Sequence, residues 1–200
     1  MFRVNSDTFL LGTFMKINKE ETVLDIGTNN GALLLYASRF TEKLIGVDVL
    51  KEAIDLAQTN LEHNHIEGYQ LINSKVQEIC VEPVDVIVCN PPYFPCGDNM
   101  NSNEYLKIAR HEVCLTLEEL FDSIARLLKN TGRAYLVHRY TRTEDITKLA
   151  HQRNLYVNRI GKVYDTRIQD YTSVLLEISF QKSEAEVNTI NYPMEEEQDD

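Results

Sequence analysis

The segment Val84-Asp-Val-Ile-Val-Cys89 constrains this chain more than any other, because five of its six residues are apolar and four of those are β-branched. A strand of that composition is unsuited to water on either face and belongs inside a parallel sheet covered by helices. Its neighbours follow the same logic. Apolar, β-rich runs at 22–26, 43–47, 69–72 and 134–138 alternate with stretches whose apolar residues recur at helical spacing, such as Leu50, Ala53, Ile54, Ala57 and Leu61. Thr116-Leu-Glu-Glu119 reads as a capping box that opens a helix with Leu117, Leu120, Phe121, Ile124, Leu127 and Leu128 on one face. Gly132 closes that helix, and another helix is expected over 143–152. Strand–helix alternation with short connections implies a doubly wound α/β domain with helices on both faces. The last two strand patterns, 155–163 and 173–180, have no crossover helix between them, so they pair antiparallel as a hairpin. The expected sheet therefore has seven strands, mostly parallel, with a carboxyl-terminal antiparallel hairpin.

The 200 residues suit one domain, assigned to 1–182, with an acidic and flexible tail over 183–200. Residues 1–14 carry one arginine and one aspartate and do not read as a signal peptide. There is no uninterrupted apolar run of the ~20 residues that a membrane-spanning helix needs. Cys80, Cys89, Cys96 and Cys114 form no Cys-x-x-Cys pair, which points to reduced thiols in the cytoplasm and to no metal site. The net charge of −11 is uneven. Residues 181–200 hold seven acids and one lysine, whereas residues 131–170 hold eight Lys/Arg against four acids. A basic face beside an acidic tail would reconcile the total with an anionic partner; a solvated face without a partner explains the same count. A monomer is the expected state.

Three motifs carry chemistry, and all three fall where strands end. Asp25-Ile-Gly-Thr-Asn-Asn-Gly31 joins a strand to a helix, and Gly27 and Gly31 let the backbone turn and pass close to a ligand. The G-x-G-x-x-G spacing of dinucleotide folds is absent, and Asn29 stands where a middle glycine is common. Gly46-Val-Asp48 ends the next strand, and an acid there can accept both ribose hydroxyls of a nucleoside cofactor. Asn90-Pro-Pro-Tyr93 follows the buried strand, at the carboxyl edge where open α/β sheets bind ligands. Pro91 and Pro92 stiffen that loop, so the Asn90 side-chain oxygen and the Pro91 carbonyl accept from an amino group in fixed directions. The nitrogen lone pair is drawn out of conjugation and aimed at a sulfonium methyl, with alignment and electrostatics in place of a strong base. Tyr93 and Phe94 would stack on a planar substrate. The Asn-rich stretch between Phe94 and Arg110 is long enough for a substrate lid. Arg110, His111 and Arg139 are candidates for contact with phosphate or base.

Together these residues resemble the bacterial tRNA1(Val) adenine N6-methyltransferases. The likeness runs through Phe-Arg-Val-Asn-Ser-Asp-Thr-Phe-Leu-Leu at 2–11, the cofactor loop, Cys-Asn-Pro-Pro-Tyr-Phe at 89–94, Ile-Ala-Arg-His-Glu at 108–112, Leu-Thr-Leu-Glu-Glu at 115–119 and Leu-Val-His-Arg at 136–139. The resemblance implies a Rossmann-like class I methyltransferase that uses S-adenosylmethionine to methylate an adenine next to the anticodon of tRNA(Val). The terminal hairpin is what separates that class from dehydrogenases. By position, Asp25, Gly27, Thr28 and Gly31 would hold the methionine part of the cofactor and Asp48 its ribose. Asn90, Pro91 and Tyr93 would hold and activate the adenine, with Asn90 also beside the cofactor. The chain departs from the family at Asn29 and at Lys75, where an aspartate usually faces the cofactor's adenine.

Two other readings fit parts of the pattern. Asn-Pro-Pro-Tyr also presents the side-chain amide of a protein glutamine, and the acidic total charge favours that substrate. Asn29 and Lys75 motivate a non-catalytic RNA-binding relic, against which the intact Asn-Pro-Pro-Tyr stands. Methylation of duplex DNA would need a target-recognition domain for which 200 residues leave no room.

Overall fold

The computed structural model describes residues 6–91 and 115–193. Helix α1 (Ser6–Phe14) precedes β1 (Val23–Ile26), α2 (Ala32–Ala37), β2 (Leu44–Asp48), α3 (Lys51–His63), β3 (Tyr69–Asn73) and β4 (Val84–Cys89). After residue 114 come α4 (Leu117–Leu127), β5 (Leu128–Arg139), a 3-10 turn (Tyr140–Arg142), α5 (Thr143–His151), β6 (Tyr156–Asp165), β7 (Asp170–Ser179) and β8 (Glu186–Tyr192). The strands form one sheet in the order β3-β2-β1-β4-β5-β7-β6-β8. The first five strands run parallel, and β7 is antiparallel to both β5 and β6.

Alternation along the strands divides the core in two. Leu24, Ile26, Ile87, Cys89, Leu136 and Leu176 face α4 and α5, where Leu120, Phe121, Ile124, Leu127, Ile146 and Ala150 are buried. Val23, Val86, Val88, Tyr135, Val137 and Leu175 face the other way, onto Leu10, Leu11 and Phe14 of α1, Leu33, Leu34 and Ala37 of α2, and Leu61 of α3. This two-sided burial explains the unbroken apolar run of β4, whose two nearest strands are β1 and β5. Each fully buried Leu, Ile or Phe here gains about 1.5–3 kcal/mol over exposure. The expected capping box is present. The Glu119 amide donates to Thr116 Oγ1 at 3.2 Å, and the Thr116 amide donates to Glu119 Oε2 at 2.9 Å.

Two features differ from the sequence reading. Strand β5 begins at Leu128 rather than near Ala134, pairing Leu128 with Val84 before the register shifts and Arg133 meets Val86. The sheet also has eight strands rather than seven, because residues 186–192 of the acidic tail pair in parallel with β6. Most of β8 is exposed, and only Ile190 and Tyr192 pack partly onto the core. Its polar composition hides a strand held largely by backbone pairing at the sheet edge.

The linker after α1 is clamped at the opposite edge from the strand carboxyl ends. Arg133 makes a two-pronged pair with Glu21, at 3.0 and 2.8 Å, and also donates to the Lys16 carbonyl. Partial burial works against the Glu21 charge, but hydrogen bonds from Arg133 and Asn18 outweigh it and hold the carboxyl down at about 2. Among the described residues, no helix is long and apolar enough to cross a membrane.

Candidate active site

Strand register sets the scaffold of the site. Ile26 pairs with Val47 on one side and with Cys89 on the other, so Asp48, Gly27 and Asn90 follow at one level across β2, β1 and β4. Neighbouring strands lie about 4.8 Å apart, so this row is roughly 10 Å wide. That places an acid at one end and a side-chain amide at the other, with a glycine turn between them.

The loop after β1 is pinned to β2. The Gly27 and Thr28 amides both donate to the Val47 carbonyl, at 2.9 and 3.0 Å. Gly27, Asn29 and Gly31 all have positive φ, at 73, 52 and 76 degrees. Asn29 therefore keeps the left-handed turn that a glycine would provide, as asparagine does more readily than most residues. Its amide donates to Asp48 Oδ2 at 3.0 Å, while Asp48 Oδ1 accepts from the Leu50 amide at 3.0 Å. Gly31 caps α2 at a φ that strains other residues, and a Cβ there would also press on Ala57 at 3.3 Å.

Asp25 is the unusual group. It is 1% exposed, and its Oδ2 accepts from the Thr28 hydroxyl at 2.8 Å. Its Oδ1 is buried and, among the described residues, has no hydrogen-bond partner. Burial raises the carboxyl to about 7; the Thr28 hydrogen bond opposes this and the Asp48 charge adds to it. Cys89 shares this environment, and burial first, then the charge of Asp25, keeps its thiol protonated. A buried, under-paired carboxylate beside a second acid suits a ligand that brings positive charge. S-adenosylmethionine carries an ammonium and a sulfonium, so the residues present fit it. Asp25, Thr28 and the glycine turn would hold its amino-acid part, and Asp48 its ribose.

Asn90 follows β4 and is half-buried, and Pro91 is buried. The Asn90 amide Nδ2 donates to Thr8 Oγ1 of α1 at 2.9 Å. Asp7 of the same helix accepts from the Ser173 hydroxyl of β7 at 2.9 Å. Sequence reasoning gave neither Asp7 nor Thr8 a site role, although the polar triplet Ser6-Asp7-Thr8 before an apolar run does signal a helix start. It also gave no role to Asn73, which donates to the Asp48 and Val49 carbonyls at 3.0 and 2.9 Å and ties β3 to the end of β2. Lys75 is exposed. Pro92, Tyr93, Phe94, Arg110 and His111 lie outside the described residues.

Arg139 ends β5, exposed, next to the buried His138. Burial, then Arg142 and Arg139, lowers His138 to about 4, so its ring is neutral, and its Nδ1 accepts from the Arg139 amide at 2.8 Å. The basic segment 131–170 does not form one unneutralised face. Arg133, Arg142, Arg153, Arg159 and Arg167 are each paired with an acid: Glu21, Asp145, Asp122, Glu177 and Asp165 respectively. Arg139, Lys148 and Lys162 have no ion pair among the described residues.

A parallel sheet with its hairpin in positions 5-7-6, a glycine turn after β1 and an acid after β2 define the class: an S-adenosylmethionine-dependent methyltransferase of the Rossmann-like type. The family follows from comparison, since the sequence model of the methyltransferase small domain matches residues 3–152, and the chain belongs to that family. A protein of Shewanella woodyi named tRNA1(Val) (adenine(37)-N6)-methyltransferase is 30% identical over 175 residues, covering 83% of this chain and 72% of its own. One of the same name from Trichodesmium erythraeum is 28% identical over 208 residues, covering 94% and 82%. The crystal structure of a ribosomal protein L11 methylase from Lactobacillus delbrueckii superposes with a TM-score of 0.65 at 18% identity, covering 90% of this chain and 81% of that one. That of a putative RNA methyltransferase from Pyrococcus horikoshii gives 0.63 at 17%, covering 86% and 80%. These two likenesses concern the fold.

Proposed function

We propose that this protein methylates the exocyclic N6 amine of an adenine in tRNA, with the adenine beside the anticodon of tRNA(Val) as its target. The observation that carries the reading is the placement of Asn90 and Pro91 level with the cofactor turn on the adjacent strand. The names of the relatives above support the choice of adenine in tRNA. S-adenosylmethionine supplies an activated methyl group on sulfur.

The protein's own contribution is orientation. The Asn90 side-chain oxygen and the Pro91 carbonyl are acceptors on a stiff backbone, and an exocyclic amine has two N–H groups to give. Accepting from both fixes the amine and turns its lone pair away from the ring. No strong base is required, because held geometry alone offsets much of a bimolecular barrier. The target base must leave its stack to reach this edge, and Tyr93 and Phe94, four and five residues after Cys89, are the aromatic groups proposed to receive it. Arg139 at the end of β5, with Arg110 and His111, is proposed to meet the RNA. Asp25, Gly27, Thr28, Gly31 and Asp48 are proposed as the cofactor's residues.

A second reading, methylation of a glutamine amide in a protein, is favoured by the five ion pairs that neutralise the basic segment and by the net charge of −11. One experiment separates the two. Labelled S-adenosylmethionine is incubated with unmodified tRNA(Val), and nucleosides are analysed for the native chain and for Asn90→Ala. N6-methyladenosine from the native chain, lowered on the order of 100-fold or more in the variant, is the expected result. Cofactor binding without any transfer to that tRNA would refute the tRNA reading and direct the search to protein amides.

A further inference from the structure

Helix α1 packs along one face of the sheet, and its first turn lies at the carboxyl edge. Leu10 and Leu11 bury its apolar side completely, and Asp7 accepts from Ser173 of β7 at 2.9 Å. One residue on, Thr8 Oγ1 accepts from Asn90 Nδ2 at 2.9 Å, a contact between residues 82 apart in sequence. The helix is thus fixed at the far side of β5 while its next side chain touches the end of β4.

We propose that Thr8 is a positioning residue for methyl transfer: its hydroxyl holds the NH2 end of Asn90 so that the amide oxygen is the end turned to the acceptor amine. This inference rests on the role given to Asn90 above. The two ends of an asparagine amide are alike in size and opposite in hydrogen-bond sense. A stiff backbone at Pro91 fixes where the side chain starts but not which end points forward. Reversal would require Thr8 to turn from acceptor to donor and would set an N–H against the incoming N–H, donor facing donor. With its NH2 end held by Thr8, Asn90 has its oxygen at the front before substrate arrives, which is what preorganisation requires.

The test compares Thr8→Val, Thr8→Ser, Asn90→Ala and the double variant Thr8→Val/Asn90→Ala with the native chain. Each is measured for methyl transfer to unmodified tRNA(Val), S-adenosylhomocysteine affinity and thermal midpoint. Thr8→Val, which keeps the shape and loses the hydroxyl, is expected to lower kcat on the order of 10- to 100-fold. KM for RNA and cofactor affinity should stay within about twofold. Thr8→Ser, which keeps the hydroxyl, should recover most of the rate. Because Thr8 acts through Asn90, adding Thr8→Val to Asn90→Ala should cost nothing further. Full kcat in Thr8→Val beside an impaired Asn90→Ala would overturn the inference and leave the role of Asn90 standing. A Thr8→Ser variant as slow as Thr8→Val would also overturn it, as would independent, multiplying effects in the double variant. A native chain that transfers no methyl to RNA, or an Asn90→Ala variant as active as the native chain, refutes the proposed function and this inference with it.

Discussion

Replacing Asp25 with asparagine should stabilise the cofactor-free protein at pH 8 and change it little below pH 4. The carboxyl is 1% exposed and burial raises it to about 7, against an ordinary value of 3.8. Below pH 3.8 the folded and unfolded states both hold the proton, and the ionisation costs nothing. As pH rises from there the unfolded chain releases its proton first, so stability falls until the folded state also ionises near pH 7. The gap of about three units corresponds to a ceiling of about 4 kcal/mol, reached at and above neutrality. Asparagine is always neutral and keeps an oxygen for the Thr28 hydroxyl. The amide brings two buried N–H donors against one O–H in the protonated acid, a cost that is the same at every pH and lowers the gain equally at pH 5 and pH 8. A gain of about 2–4 kcal/mol at pH 8 and less than half of that at pH 5 is therefore expected. Urea unfolding at both pH values would read it, with a midpoint raised on the order of 1 M at pH 8. The same change should weaken S-adenosylhomocysteine binding, measured by calorimetry, since the carboxylate is proposed to face the cofactor's ammonium. This is the usual trade between stability and function at a ligand site. A variant less stable than the native chain at pH 8, or an offset identical at pH 5 and pH 8, would refute the reasoning.

Two further outcomes follow from the fold. Glu21→Gln breaks the pair with Arg133; the native carboxyl is held at about 2 rather than 4.5, so its stabilisation is present above pH 4.5 and lost as pH falls toward 2. The two proteins should differ on the order of 2–3 kcal/mol at pH 7 and converge near pH 2–3, as read by denaturant unfolding. Removing residues 183–200 deletes β8 and uncovers the β6 edge, which should cost about 1–2 kcal/mol through Ile190 and Tyr192 and lower the thermal midpoint. Methyl transfer should persist in that variant, since β5, β7 and β6 separate β8 from β4 and from Asn90, which follows it.

What the sequence revealed, and what it hid, has physical causes. Val84–Cys89 was legible because burial on both faces leaves an unbroken apolar run. The turn at Gly27 and Gly31 was legible because positive φ narrows the choice of residue. β8 was not legible. An edge strand with little buried side chain is held by backbone hydrogen bonds, which composition does not record. The start of β5 was hidden for another reason: Gly132 resembles a helix stop, and the irregular residues before Arg133 break the alternation. Counting basic residues along 131–170 failed because their partners Glu21, Asp122 and Glu177 lie on other elements. The contact of Thr8 with Asn90 was invisible. A hydroxyl in the first turn of a helix looks like a local cap, and its partner lies 82 residues away.

The reach of α1 also fixes an order of events during synthesis. Asp7 is made before its partner Ser173, which comes 166 residues later. At about 5–20 residues per second, the helix waits roughly 10–30 s for the strand that secures it. In that interval β1 to β4 and the cofactor turn have been made, but β7 is missing, and Asn90 faces a helix not yet fastened on its far side. The anchorage of α1 is therefore begun in one helix and completed only in β7, and a chain that stops before β7 cannot form it.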